Sequence, residues 1–308
     1  MKLNRSWCLI VMITLALMPV RIYSFWFFSD SKPTFRVTIL HTNDRQAKIK
    51  SCGCRSAENL LMNLAVWMDS LSRSCPNPVV VDAGNSLFGD AKADASKGEM
   101  MVDALNAIHY DAVNICLKDL RYGIATLKEL SRKAQFSFVS ANLFPAQGST
   151  PLFPPYRIIN RDGIRIGIIG IMEDKPAVAQ SLPDYQKGFR VVAPDSVLPE
   201  LVKKLDSKTD LLILLGYQEF NQNIEMLNRY PQIDVVISGS NRQMQYRTID
   251  DGLVGEAHDS GQFIGKISLA RENGTLITLK GETISASKKP NPHPEIASIM
   301  KKYHLSMK

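Results

Sequence analysis

Short apolar segments alternate with helix-spaced segments along most of the sequence, and this alternation limits the possible folds more than any other feature. Residues 35–41 are rich in β-branched side chains and end in the polar turn Thr42-Asn43-Asp44, which is typical of a strand. Residues 58–71 have apolar side chains at a period close to 3.6, and the apolar run 79–81 follows them. Apolar strands that alternate with helices form buried sheets covered by helices. The sequence therefore predicts an α/β layered domain.

The alternation continues towards the C-terminus. Further helices are predicted at residues 98–108, 124–132, 195–205 and 221–229. Further strands are predicted at residues 112–115, 136–140, 164–171, 211–215 and 234–238. Asn273-Gly274 separates two more strands and is typical of a hairpin turn. We predict one domain over residues 35–281, followed by a linker and a helix in residues 282–308.

The N-terminal residues 1–24 have the pattern of an export signal. Lys2 and Arg5 precede an uncharged apolar run that ends before Arg21. The aromatic residues 25–28 lengthen the apolar stretch, so the segment is either a cleaved signal or an uncleaved N-terminal anchor. In both cases we expect an exported protein, located in the periplasm or on the outer face of the membrane.

The charge of the chain argues against nucleic acid as a partner. There are 37 Lys and Arg against 30 Asp and Glu, and the formal net charge is +7. The basic side chains are scattered or paired, as on an ordinary solvated surface, and no basic cluster with interleaved aromatic residues is present. We therefore expect no nucleic-acid binding.

Polar motifs follow the predicted strands in an order that resembles a known family. The motifs are His41-Thr42-Asn43-Asp44, Val81-Asp82-Ala83-Gly84, Leu120-Arg121-Tyr122-Gly123, Ser140-Ala141-Asn142-Leu143, Ile166-Gly167-Ile168-Ile169-Gly170, Asp234-Val235-Val236-Ile237-Ser238-Gly239 and Gly261-Gln262-Phe263-Ile264-Gly265. Together they resemble the catalytic domain of the calcineurin-like metallophosphatases, in the 5′-nucleotidase branch. The resemblance implies a four-layer sandwich, in which two packed mixed β-sheets are flanked by helices. It also implies two divalent metal ions, about 3.5–4 Å apart, between the strand-end loops.

Most of the ligand positions that this resemblance marks carry other residue types. Asp44 matches the first aspartate, but the histidine of Asp-x-His is Gln46 and the bridging carboxylate is Asn85. The Gly-Asn-His-Glu motif aligns with Cys116-Leu117-Lys118-Asp119, the histidine after the apolar strand aligns with Gly216, and Gly-His-x-His aligns with Gly239-Ser240-Asn241-Arg242. Asp44, Asn85 and Asp119 are thus a remnant of the metal site. We expect no bound cofactor, or two divalent metal ions if the protein is an active enzyme.

Cationic side chains stand near this remnant in the sequence. Without metal ions, Asp44, Asp82 and Asp119 need another counter-charge in a partly buried cleft. Lys118, Arg121 and Arg242 are the candidates, so we expect a pocket in which side-chain cations replace the metal. The alternative is that these three cations are ordinary solvated loop charges.

The Cys52-Gly53-Cys54 segment is similar to a cysteine loop found in some exported metallophosphatase relatives. The two thiols are candidates for a reducible disulfide or for ligands of a soft metal, and a structural loop is the third alternative. Cytochrome links among such relatives suggest a cell-envelope redox protein or cytochrome as a partner.

These features give one leading functional expectation and two alternatives. The leading one is an exported metallophosphatase-fold protein that binds a ligand and is non-catalytic or catalytically altered. The first alternative is a metal-dependent phosphoesterase with unusual ligands, and the second is a thiol redox or electron-transfer accessory that uses Cys52 and Cys54. The resemblance identifies no ligand or substrate.

Overall fold

The apolar runs of the sequence form two stacked sheets in the computed structural model, which describes residues 34–51, 59–183, 185, 187–286 and 291–305. The strands in these ranges are β1 Phe35–Thr42, β2 Pro78–Asp82, β3 Ala112–Asn114, β4 Ser137–Val139, β5 Leu143–Pro145, β6 Tyr156–Arg161, β7 Ile164–Met172, β8 Phe189–Val191, β9 Leu211–Tyr217, β10 Val235–Ser238, β11 Met244–Ile249, β12 Gly252–Ala257, β13 Phe263–Glu272 and β14 Thr275–Ser285. The α-helices are α1 Leu60–Ser74, α2 Ala91–Ala95, α3 Glu99–Ala107, α4 Gly123–Lys133, α5 Pro176–Ala179, α6 Leu198–Asp206, α7 Phe220–Arg229 and α8 Pro294–Lys302. Two 3-10 turns cover Leu117–Leu120 and Pro194–Ser196.

Both large sheets are mixed. The first has the order β14-β13-β1-β2-β3-β4, with β1 to β4 parallel, β13 antiparallel to β1, and β14 antiparallel to β13. The second has the order β11-β12-β10-β9-β7-β6, with four parallel central strands and an antiparallel strand at each edge. A small two-stranded sheet joins β5 and β8. Parallel central strands require cover on both faces, which explains their continuous apolar sequence.

Three apolar layers hold the sheets and helices together. Between the sheets, Ile39 and Val81 of the first sheet pack against Ile168 and Ile213 of the second. Helices α1, α3, α4 and α8 cover the outer face of the first sheet, while α6 and α7 cover that of the second. The result is a helix-sheet-sheet-helix sandwich, which confirms the expected four-layer fold.

The C-terminal residues belong to the same packing. Strand β14 continues to Ser285, so the hairpin extends beyond residue 281. Helix α8 packs on α1 and α3, and its Ile296 and Met300 are fully buried. Its Lys302 Nζ lies 2.7 Å from Asp103 Oδ2 of α3. The predicted terminal helix is therefore present and contributes to the outer core of the first sheet.

The N-terminal export segment, residues 1–24, lies outside the described residues, so its cleavage or retention stays a prediction. Within the residues that the structure describes, no helix is both long enough and apolar enough to cross a bilayer.

The parallel strands place the predicted site at one edge of the sandwich. β1, β2 and β3 end next to one another in the first sheet, where Thr42 of β1 is level with Asp82 of β2. β9 and β10 end next to one another in the second sheet. Loops that follow parallel strands meet at the carboxyl edge of a sheet, and here the two carboxyl edges face each other across Asp44.

Candidate functional site

The loop after β1 holds Asp44 in a tight, buried turn. Asp44, Gln46 and Ala47 all have left-handed backbone conformations, with φ of 46°, 53° and 50°. The Asp44 N–H donates to the Gly84 carbonyl at 3.0 Å, and the Gln46 N–H donates to the Asn85 carbonyl at 2.7 Å. The loops after β1 and β2 are therefore tied together by their backbones. Asp44 is only 2% exposed as a result.

Three side chains donate hydrogen bonds to the Asp44 carboxylate, and a fourth forms an ion pair with it. Asn85 Nδ2 donates to Oδ1, which also accepts from the Tyr217 hydroxyl at 2.8 Å. Gln46 Nε2 donates to Oδ2 at 3.1 Å, and the Arg242 Nε lies 3.5 Å from the same oxygen. Both carboxylate oxygens of Asp44 are therefore occupied by groups of the protein itself.

At the end of β9, Gly216 and Tyr217 face opposite sides, and Tyr217 is the residue that reaches Asp44. A Cβ added at Gly216 would overlap Asn223 Oδ1, so residue 216 faces the buried amide of Asn223. The next side chain along the strand, Tyr217, points at Asp44 instead, because successive strand residues face opposite sides. Burial, together with the negative charge of Asp44, raises the pKa of Tyr217 well above its usual value. The phenol is therefore a neutral donor.

Asp119 is held by backbone N–H groups. Its Oδ2 accepts from the N–H of Cys116 at 3.0 Å and of Asn85 at 3.1 Å, and its Oδ1 accepts from the Leu87 N–H at 3.3 Å. Burial raises the pKa of Asp119, and these donors act in the opposite direction. Asp119 thus joins the loops after β2 and β3 by accepting hydrogen bonds from their backbone N–H groups.

Asp82 has a different environment again. The Thr42 hydroxyl donates to its Oδ2 at 2.5 Å, and the Gly84 N–H donates to its Oδ1 at 2.8 Å. Burial raises the pKa of Asp82 to about 6, while the nearby Arg45 charge lowers it. Arg45 is itself only 1% exposed. A buried cation that the sequence analysis did not select therefore influences this carboxylate through its charge.

The three cations predicted from the sequence have separate partners. Arg242 Nε lies 3.5 Å from both Asp44 Oδ2 and Asp259 Oδ2. Arg121 pairs with Asp94 at 3.4 Å and does not contact the strand-end carboxylates. Lys118 is exposed and forms no ion pair with any residue in the described ranges. Of the three, Arg242 is the one that contacts Asp44.

Sequence reasoning missed three residues of this site. Arg45 lies between Asp44 and Gln46 in a turn, where a charged residue resembles an ordinary solvated one. Tyr217 was missed because it follows the position that the motif order marked, Gly216, on the opposite side of β9. Asp259, which accepts from Gln46 Nε2 at 3.3 Å and pairs with His258 at 2.7 Å, comes from a loop without a recognisable motif.

The chemistry of these groups does not suit a pair of divalent metal ions. Such ions need oxygen, nitrogen or sulfur lone pairs, whereas Asn85, Gln46, Tyr217 and Arg242 all present N–H or O–H donors to Asp44. In the part of the chain that the structure describes, no group of three or more His, Cys, Asp or Glu side chains is placed to hold a metal. Cys52 and Cys54 lie outside the described residues, and their redox or metal role stays a prediction.

A cavity of about 350 Å³ opens beside this cluster. Its lining includes Gln46, Asn85, Phe88, Lys118, Arg121 and Leu182. Lys118 and Arg121 thus line the same cavity as Asn85 and Gln46, the two amides that donate to Asp44. Arg242, the cation that contacts Asp44, is not among the described residues that line this cavity.

The sequence is similar to known 5′-nucleotidases over most of its length. It is 24% identical over 311 residues to the snake venom 5′-nucleotidase of Naja atra, covering 89% of this chain and 58% of that protein. It is also 24% identical over 311 residues to the human 5′-nucleotidase, covering 89% of this chain and 53% of that protein. The chain thus spans little more than half of the length of these relatives. No protein-family model matches the sequence.

The fold agrees with this similarity. The calcineurin-like phosphoesterase YfkN from Bacillus subtilis superposes with a TM-score of 0.76 at 19% identity, covering 88% of this chain and 97% of that structure. These comparisons support the calcineurin-like phosphoesterase fold and a similarity to the 5′-nucleotidase branch of the metallophosphatases. Within this family fold, the ligand positions that the sequence motifs mark carry Gln46, Asn85, Leu117, Lys118, Ser240 and Arg242.

Proposed function

We propose that this metallophosphatase-fold chain is a non-catalytic ligand-binding protein. The observation that carries the proposal is the ring of donors around Asp44. A metal ion and an N–H group compete for the same carboxylate lone pairs, and here Asn85, Gln46, Tyr217 and Arg242 already use them. Reaction through two metal ions would require these side chains to be displaced.

Electrostatics support the same proposal. A bridging carboxylate binds two cations through its negative charge, whereas Asn85 carries none and instead donates to Asp44. Tyr217 stays protonated because burial and its neighbours raise its pKa. The cluster is therefore stable as a set of hydrogen bonds and does not depend on a bound cation to offset repulsion between carboxylates.

The proposal includes export from the cytoplasm. Its support is the basic start and apolar run of residues 1–24, which have the pattern of a signal. Mass spectrometry of the protein recovered from the cell envelope would identify its N-terminal residue. That residue distinguishes a cleaved signal from a retained anchor.

The metal content and hydrolytic activity of the purified chain test the non-catalytic role. After dialysis against Mn²⁺ or Zn²⁺, we expect fewer than two bound metal ions per chain and no hydrolysis of a generic phosphodiester. We also expect no thermal stabilisation by these ions, although a ligand at about 100 times its Kd stabilises a native state by about 2.7 kcal/mol. The YfkN phosphoesterase, treated in parallel, is the positive control for hydrolysis of the phosphodiester.

Two tightly bound metal ions together with hydrolysis that is lost in Asp44→Ala would overturn the proposal. That result would favour a phosphoesterase with unusual ligands among Asp44, Asn85, Asp119 and the Cys52/Cys54 pair.

A further inference from the structure

The cavity beside the Asp44 cluster has a strongly one-sided charge. Lys118 and Arg121 line it, and none of the described residues on its surface is acidic. Lys118 is exposed without an ion pair in the described chain. Arg121 is held only at one side, by Asp94 at 3.4 Å, and its side chain remains 55% exposed. Both cations are therefore available to a ligand.

The fold adds to this positive potential. Helix α4 begins at Gly123, two residues after Arg121, and no side chain caps its N-terminus. Its first turn also contains no acidic residue. The N-terminal end of a helix carries a partial positive charge, so α4 reinforces Lys118 and Arg121.

The carboxylate nearest to the cavity does not cancel this charge. Asp44 is 2% exposed, and the donors of Asn85 and Gln46 cover it on the cavity side. These two amides line the cavity themselves. A ligand in the cavity would therefore meet neutral amides and two cations before it met a carboxylate.

Apolar side chains form another part of the same surface. Phe88 is buried against Tyr122, with ring centroids 5.1 Å apart. Val178 and Leu182 come from α5 and the turn after it, where the Leu182 N–H donates to the Ala179 carbonyl at 2.9 Å. The cavity thus combines two cations with an apolar wall, and its volume of about 350 Å³ is within the range of small-molecule sites.

We infer that this cavity binds a small organic anion, with the anionic group on Lys118 and Arg121 and the apolar part against Phe88, Val178 and Leu182. The inference rests on the proposed non-catalytic function, because it has side-chain cations, and no metal ions, bind the anionic group. A carboxylate and a phosphate monoester both have the required chemistry. Their common feature is an anionic head group joined to an apolar group.

Calorimetric titration of the purified chain tests this inference with four probes. Phenylacetate and phenyl phosphate carry the two head groups, benzyl alcohol lacks the charge, and inorganic phosphate lacks the apolar group. We expect at least one of the two aromatic anions to bind more tightly than both benzyl alcohol and inorganic phosphate. The binding should weaken as salt is added, because the head group is held by exposed charges.

Matched variants locate the binding. Lys118→Met should weaken it by about tenfold, as expected for the loss of one charge-assisted contact. Lys128→Met removes the same charge from an exposed position of α4 that does not line the cavity, and should leave the affinity unchanged. Circular dichroism of both variants checks that they are folded.

The outcomes separate this inference from the proposed function. The inference is supported if either aromatic anion binds the wild type and Lys128→Met with the same affinity and binds Lys118→Met more weakly. The anion that binds more tightly identifies the preferred head group. Absence of binding, equal binding of inorganic phosphate, or an unchanged affinity in Lys118→Met overturns it. Metal-dependent hydrolysis of phenyl phosphate would instead overturn the non-catalytic function.

Discussion

Asp44 shows how a buried carboxylate is stabilised when its neighbours are mostly neutral. Its oxygens accept hydrogen bonds from two amides and a phenol, and the guanidinium that faces it, Arg242, is 58% exposed in its side chain. A partly exposed ion pair contributes only about 0–1 kcal/mol. The neutral donors therefore account for most of the stabilisation of Asp44.

Asn85→Asp should destabilise the protein, because it replaces a donor with a second carboxylate in contact with Asp44. We expect the loss to be roughly 2–4 kcal/mol at neutral pH, measured by chemical denaturation. The left-handed φ of 60° at residue 85 is compatible with both Asn and Asp, so backbone strain does not contribute. The double variant Asp44→Asn, Asn85→Asp again has one carboxylate and should recover most of the loss. Equal stability of the wild type and Asn85→Asp would contradict this account of the site.

The Arg45 charge acts on Asp82 without a direct ion pair between them, and the effect of removing this charge depends on pH. The Arg45 charge lowers the Asp82 pKa from the value that burial alone would give, and the balance is about 6. Arg45→Met should therefore raise the Asp82 pKa further. A carboxyl whose folded pKa is raised contributes stability at low pH and loses it as the pH rises through that pKa.

The loss in Arg45→Met should thus be small at pH 5 and roughly 1–3 kcal/mol at pH 8. Urea denaturation at both values measures it. Arg45→Lys retains the charge and should show a weaker pH dependence. Addition of Asp82→Asn to Arg45→Met should remove the difference between the two pH values, and a loss that is equal at both would show that Arg45 acts only by packing.

Elements with a strong periodic pattern could be predicted from the sequence. The central strands are continuous apolar runs because both faces are buried, and the β13–β14 hairpin follows from Asn273-Gly274, whose φ values of 50° and 82° suit that dipeptide. Two neighbouring strands of the second sheet, β11 and β12, were missed for the opposite reason. β11 is a largely polar edge strand, and the central strand β12 contains two glycines and a glutamate although all of its six residues are buried.

The buried glutamate of β12 shows why such a strand is hard to predict. Glu256 accepts from the N–H of Asn241 at 2.7 Å and of Arg242 at 2.9 Å, so its charge is satisfied by a loop that is distant in sequence.

The same limit applies to the prediction of the site. The motif order placed Asp44, Asn85 and Arg242 in one region, but the contact of Tyr217 with Asp44 depends on which side of β9 that residue faces. That orientation is set by packing between the sheets and cannot be read from local pattern.

The two-sheet arrangement also buries a histidine where the sheets meet. His41 of β1 is 0% exposed, and its Nε2 lies 3.2 Å from the hydroxyl of Tyr246 of β11. Gly265 of β13 is required beside it, because a Cβ at that position would overlap the His41 ring. Burial lowers the pKa of His41 to about 3. The folded sandwich therefore holds this side chain neutral.

The His41 environment makes the stability of the whole sandwich sensitive to acid. In the unfolded chain the histidine has a pKa of about 6.5, so between that value and about 3 the unfolded state binds more protons than the folded state. The contribution of His41 is complete above about pH 6.5 and is lost as the pH falls through this window. Asp82 acts in the opposite direction, since its raised pKa favours the folded state at low pH and this advantage is lost as the pH rises to about 6.

Replacement of His41 should separate these two effects. In His41→Phe the acid-side loss of stability between pH 6.5 and 4 should become smaller, because no buried ring remains to be protonated on unfolding. Tyr246 should stay satisfied, since its hydroxyl also donates to the Glu282 carbonyl at 2.9 Å. The free energy of unfolding, measured at half-unit pH steps, gives the slope, and His109→Gln at an exposed position is the control that should leave it unchanged. An identical slope in His41→Phe and wild type would show that the acid sensitivity of the sandwich arises from other groups.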